Sequence, residues 1–319
     1  MGSGRRIRIM QDQFNNKVII VTGGTGSIGS EIVRQLLKTG VAQIRVFSRD
    51  EHKQHELAQE LCDERVRFLI GDVRDKERMD FAFQNADICF HAAALKHVPV
   101  CEYHPFEALK TNVIGTQNVI EVSIKNNLEK VIAVSTDKAV SPESVLGASK
   151  LMMERLISAA NTATGANRSR FTTVRFGNVM GSRGSVANIW RKQIEAGGPV
   201  TVTHKNMNRF FMEISEAVAL MFEASRLMRG GEIFVLKMKK RLITAIARDL
   251  IKKYGNGKKI AFKFTGLRAG EKLNETLYTK EEASHMLETK TLYIITPQHL
   301  VKDFTYPPSM YPGARKAKG

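Results

Sequence analysis

The run Thr22-Gly23-Gly24-Thr25-Gly26-Ser27-Ile28-Gly29 constrains the fold of this chain more than any other feature. It follows a β-branched stretch at 18–21 and precedes a helical pattern over 30–38. Strand, glycine turn and helix in that order bring backbone N–H groups and the positive end of a helix to one place, where a pyrophosphate is held. The spacing predicts a dinucleotide site built from Thr22, Gly23, Thr25, Gly26, Ser27, Ile28 and Gly29. Further buried strands are expected at 44–47, 66–70, 88–91 and 131–135, alternating with helical patterns such as 107–126. That alternation predicts an α/β chain with a Rossmann-type, doubly wound parallel sheet.

Beyond residue 170 the pattern loosens, with strands expected at 174–176 and 233–236 and loops at 181–184 and 197–199. The expected organisation is an N-terminal extension over 1–16 and a dinucleotide-binding domain over 17–177. A smaller substrate-binding lobe over 178–297 returns some strands to the core and closes over the carboxyl edge of the sheet. A basic tail follows over 298–319. No apolar run approaches the roughly 20 residues that span a bilayer, and the first residues lack a signal-peptide pattern. A cytoplasmic protein without membrane insertion is expected. The three cysteines, Cys62, Cys89 and Cys101, have no metal-ligand spacing, so no metal site is expected. The net charge of +17 suits an anionic ligand. Its basic clusters lack the interleaved aromatics of a nucleic-acid platform, which points to a solvated basic surface rather than nucleic-acid binding.

At the end of the second strand, about 20 residues past the glycines, an acidic side chain grips a ribose 2′-hydroxyl, whereas arginine accepts a 2′-phosphate. The chain has Ser48-Arg49-Asp50 there. Ser48 and Arg49 favour NADP, and Asp50 keeps NAD open. Asp72-Val73 ends the next strand, where an adenine edge lies. Farther on, Asp137 and Lys138 stand side by side just past a strand end and suit opposite proton transfers. Lys150 falls one helical turn after Leu146, and Met152 and Met153 read as helix packing.

These segments, with His91-Ala92-Ala93-Ala94-Leu95-Lys96-His97, Gly147-Ala148-Ser149-Lys150 and Arg175-Phe176-Gly177-Asn178-Val179, resemble the extended short-chain dehydrogenase/reductases. Within them the chain is similar to the UDP-N-acetylglucosamine 4,6-dehydratases of surface-glycan synthesis, over about 17–297. The resemblance implies a held NADP or NAD, oxidation of sugar C4, loss of water across C5 and C6, and reduction of C6. It places Ala92, Ala93 and Lys150 at the cofactor and Lys96, Leu146, Asn178, Arg209, Arg268 and Glu271 at a uridine-diphosphate sugar. Thr136, Asp137, Lys138 and Lys150 carry the chemistry, with Lys138 standing where relatives acting on dTDP-glucose have glutamate.

The departure is Leu146, which occupies the place of the family's usual tyrosine. Asp137, assisted by Thr136, is therefore expected to take the C4 proton and later to protonate the departing C6 oxygen. Leu146 also leans the expectation toward retention at C5. A C5-inverting dehydratase, a C4 epimerase and a non-catalytic NADP-binding sensor are the alternatives. Related enzymes pair helices across a two-fold axis, so a homo-oligomer is expected through 107–126 and 150–160.

Overall fold

The computed structural model describes residues 12–163, 169–297 and 306–317. Most of the expected N-terminal extension, and residues 298–305 and 318–319 of the tail, lie outside them. The strands β1 (Val18–Thr22), β2 (Gln43–Ser48), β3 (Val66–Ile70), β4 (Ile88–His91), β5 (Lys130–Thr136) and β6 (Arg170–Phe176) align in the order 3-2-1-4-5-6. Every one of these pairings is parallel. The order reverses between β1 and β4, which opens a crevice at the carboxyl ends of the strands. The inner strands β1 and β4 are nearly continuous apolar runs because helices cover both faces. Ile20, Cys89 and Val131 pack toward one helical layer and Ile19, Val21 and Ile132 toward the other.

The sheet continues past β6. Strand β7 (Ile233–Leu236) adds parallel to β6, and β9 (Leu292–Ile295) and β8 (Met286–Glu288) follow antiparallel. The short β10 (Arg315–Lys316) closes the edge, so the end of the described part of the basic tail pairs with the main sheet. Tyr311 anchors it, 1% exposed, with its hydroxyl donating to Glu232 at 2.7 Å. Among the described residues no helix is long and apolar enough to cross a membrane.

Residues 178–212 and 240–264 build two small sheets and a separate apolar core around Trp190, Val200, Met207 and Ile246. This lobe stands over the carboxyl edge. The expected helix 107–126 is three pieces, Pro105–Ala108, a π-helical turn Leu109–Ile114, and Gly115–Lys125. Met153 is buried, as packing requires, but Met152 is half exposed.

Candidate active site

The turn after β1 brings Gly23 against the chain leaving β4. A Cβ on Gly23 would lie 2.7 Å from the Ala93 backbone, and its φ of +66° already excludes most side chains. Gly29 is as tight, since a Cβ there would stand 2.3 Å from the Gly23 carbonyl oxygen. These approaches leave the N-terminus of the helix Ser27–Leu36 open to a cavity of about 700 Å³. Gly23, Thr25, Gly26, Ser27, Ile28 and Gly29 line it, as do Ala92 and Ala93. A dinucleotide pyrophosphate fits this cradle of small residues and free helix N–H groups.

Thr22 faces elsewhere. It is fully enclosed, and its hydroxyl lies 2.7 Å from His91 Nδ1. The other ring nitrogen meets the Thr116 hydroxyl at 3.0 Å, and that hydroxyl donates to the Asn112 carbonyl. Thr116 must therefore accept from His91 Nε2, which leaves Nδ1 to accept from Thr22. Burial, with the charge of Lys150, lowers the His91 pKa to about 3, so the ring is neutral. Asn112 sits in the π-helical turn and holds the Leu95 backbone from both sides, accepting from its N–H at 2.8 Å and donating to its carbonyl at 3.1 Å. It also donates to Ser149, one residue before Lys150. Short buried polar side chains gave no sequence signal for this network.

At the far end of the cofactor cleft Ser48 accepts hydrogen bonds from Thr25 and Gln54. Asp50 caps the helix Glu51–Leu61 by accepting from the Lys53 N–H at 3.0 Å, and it pairs with the Lys53 ammonium. Arg49 is half exposed and lies 3.4 Å from Asp72, whose carboxylate also takes Arg74. Val73 completes this wall.

Strand β5 ends at Thr136, and a single 3₁₀ turn carries Asp137 and Lys138. Thr136 donates to Asp137 Oδ1 at 3.0 Å, and the Lys138 ammonium donates to the same oxygen at 3.0 Å. Thr136 and Lys138 line the cavity, whereas Asp137 is fully enclosed behind them. Lys150 reaches the cavity from the helix Val145–Ala163 and donates to the Val134 carbonyl at 2.9 Å. Burial lowers its pKa to about 8. Leu146 lines the cavity one turn earlier and packs with Cys101 and Ala108.

The lobe supplies the remaining wall. Asn178, Arg209, Arg268 and Glu271 all reach it, and Lys96 joins them from the β4 side. Arg209 is already committed, donating to the carbonyls of Asn208, Lys272 and Leu273 at 2.7 to 3.1 Å, so it holds the segment bearing Arg268 and Glu271 in place. Arg268 is exposed, with no side-chain partner among the described residues. Two wall residues went unread in the sequence. Arg183 donates to the Thr25 carbonyl at 2.9 Å and to Ser27 at 2.8 Å, so its loop crosses the dinucleotide turn. Glu275 is 2% exposed and stands 3.7 Å from the Lys138 ammonium.

Sheet order, glycine turn and cavity define a Rossmann-type short-chain dehydrogenase/reductase. Residues 19–297 match the family described as polysaccharide biosynthesis protein, and the chain belongs to it. It is 51% identical to an uncharacterized membrane protein of Methanocaldococcus jannaschii, over 89% of this chain and 87% of that one. It is 41% identical to a UDP-N-acetylglucosamine 4,6-dehydratase (inverting) of Campylobacter jejuni, over 89% and 84%. A UDP-glucose 4-epimerase of Rickettsia canadensis is also 41% identical, over 84% and 80%. The X-ray structure of Pen from Bacillus thuringiensis superposes with a TM-score of 0.87 at 41% identity, covering 90% of each chain.

Proposed function

We propose that this protein is an NADP-dependent 4,6-dehydratase of UDP-N-acetylglucosamine, serving surface-glycan or rare-sugar synthesis. The observation that carries the reading is the junction of Thr136 and Lys138, backed by the enclosed Asp137, with the dinucleotide cradle in one cavity. The dinucleotide, when bound, supplies reversible storage of two electrons between C4 and C6. Thr136 faces the C4 hydroxyl and passes its proton to the enclosed Asp137. Lys138, as free amine, removes the C5 proton that the C4 ketone has acidified. Lys150 holds the nicotinamide ribose, Leu146 shields the sugar face from water, and Asn178, Arg268 and Glu271 position the uridine diphosphate with Lys96 at the rim.

Incubation with UDP-N-acetylglucosamine and mass spectrometry tests the reading, because dehydration removes one water and epimerisation leaves the mass unchanged. An unaltered substrate points instead to a sensor. The epimerase reading draws on the Rickettsia relative, but it has no use for Lys138 and needs the hydroxyl that Leu146 lacks. At C5, Leu146 favours retention and the relatives named as inverting favour inversion. Proton couplings of the product read the configuration directly.

The preference for NADP is supported by Asp50, whose carboxylate is spent on a helix cap, and by Arg49 and Lys53 beside it. Arg49→Ala should weaken NADP binding by about 10- to 100-fold, the loss of one charge-assisted bond. NAD binding should hardly move, and fluorescence titration with both cofactors checks the split. A homo-oligomer is supported by Val100, Tyr103, Phe106, Leu109, Ile114 and Met152, large apolar side chains exposed on neighbouring helical segments. Light scattering should give a multiple of the chain mass, and Tyr103→Glu with Phe106→Glu should give the monomer.

A further inference from the structure

Lys138 stands between two buried carboxyl groups that differ in what they can reach. Asp137 is enclosed, and its Oδ1 is shared by the Thr136 hydroxyl and the Lys138 ammonium. Its Oδ2 has no hydrogen-bond partner among the described residues, but it lies behind the cavity wall. Glu275 is in that wall. Its Oε1 is 3.7 Å from Lys138 Nζ, and its Oε2 has no hydrogen-bond partner among the described residues. An enclosed carboxyl oxygen left unmatched is costly unless a proton or a ligand meets it.

The position of Glu275 is fixed from two sides. Asn274 bridges to Asn208 beside it, and the Arg209 guanidinium clamps the carbonyls of Lys272 and Leu273 just before it. Burial and the negative charge of Asp137 raise its pKa, against the lowering influence of Lys138, Arg209 and Lys272, the other charged groups that face it. A carboxyl group so placed keeps its proton further toward neutral pH than an ordinary glutamate.

Resting on the dehydratase reading, we propose that Glu275 is the acid that protonates the departing C6 oxygen, a role the sequence alone had given to Asp137. An amine and a carboxyl 3.7 Å apart can reach, at the same time, the hydrogen on C5 and the hydroxyl on the adjacent C6. The protons balance, counted from the state in which the Lys138 ammonium has released its proton to solvent and Glu275 holds one. The C4 hydroxyl proton passes through Thr136 to Asp137. The C5–H bond breaks toward the Lys138 amine, and the C6–O bond breaks with its electron pair on oxygen, which leaves as water with the Glu275 proton. Two electrons removed at C4 return at C6, and the Lys138 ammonium gives its proton back to C5. Lys138, in reach of both carboxyl groups, then carries the Asp137 proton across to Glu275 and restores the starting state.

Glu275→Gln and Glu275→Asp separate this role from a structural one. With UDP-N-acetylglucosamine, Glu275→Gln should lose about 100-fold or more in kcat, the usual worth of a general acid, with KM little changed. Glu275→Asp should recover part of the loss. In D2O the substrate recovered from Glu275→Gln should carry deuterium at C5, because proton removal continues while departure of oxygen stalls. The 6-deoxy-6-fluoro analogue, whose fluoride needs no such acid, should react within a few-fold of wild type. Unchanged dehydration in Glu275→Gln overturns the proposal, and so does an equal loss on both substrates without C5 exchange. A wild-type protein that removes no water at all overturns the dehydratase reading instead.

Discussion

Lys138→Met should abolish dehydration, lowering kcat by about 10⁴-fold, the upper range for a lost general base. Methionine keeps much of the length and apolar stem of lysine but has no proton to exchange. It therefore removes the proposed base and the link between Asp137 and Glu275 while changing little of the packing. The dinucleotide cradle lies on other strand ends, so cofactor affinity should stay within a few-fold of wild type. Mass spectrometry of the nucleotide sugar measures the first effect and fluorescence titration the second. A Lys138→Met protein that still released water at a normal rate would remove the base from the mechanism and leave a nucleotide binder as the better account.

Arg175→Ala should be the most damaging single change to stability. The guanidinium is fully buried near the carboxyl end of β6, where it donates to both oxygens of Glu154 at 3.0 and 2.7 Å and of Glu282 at 3.0 and 2.8 Å. It also donates to the Leu277 carbonyl at 2.9 Å. Removing it strands two carboxylates in the interior, which costs about 3–5 kcal/mol. Urea unfolding followed by circular dichroism reads the loss. The pH dependence carries a signature. Burial alone would raise the pKa of Glu282, but its bonds to Arg175 outweigh that and hold the value below the 4.5 of an ordinary glutamate. The stabilisation is therefore complete above about pH 4.5 and is lost as pH falls through the lower folded value. The gap between wild type and Arg175→Ala should narrow below that pH. Because Leu277 follows Glu275 so closely, the variant should lose activity at denaturant concentrations that leave its helices intact.

The sheet and the cofactor cradle were legible because both are written locally. A run such as Val18-Ile19-Ile20-Val21 ahead of Gly23 and Gly26 specifies strand, turn and helix within a few residues. The pair Asp137-Lys138 was legible for the same reason. What lay hidden is held by contacts distant in sequence. Arg209 reads as a phosphate ligand until the carbonyls of Lys272 and Leu273 are seen on its guanidinium. Thr22 belongs to the glycine motif, yet its hydroxyl turns to His91 beneath the turn. Glu275 sits in an ordinary polar stretch, and only the bridge between Asn208 and Asn274 brings it to Lys138. Composition located the basic tail and could not show that Arg315 and Lys316 extend the main sheet.

The widened turn Leu109–Ile114 sets a rule of length for this chain. A π turn accommodates one residue more than a regular helix, and each residue in a regular helix advances the side chains by about 100°. Trimming that surplus residue would leave a sound rod, still able to cover the sheet, with Asn112 swung away from Leu95. Conformity to ideal helical geometry would therefore cost the pocket its floor, and a designer who regularised this segment would gain nothing useful from the tidier backbone.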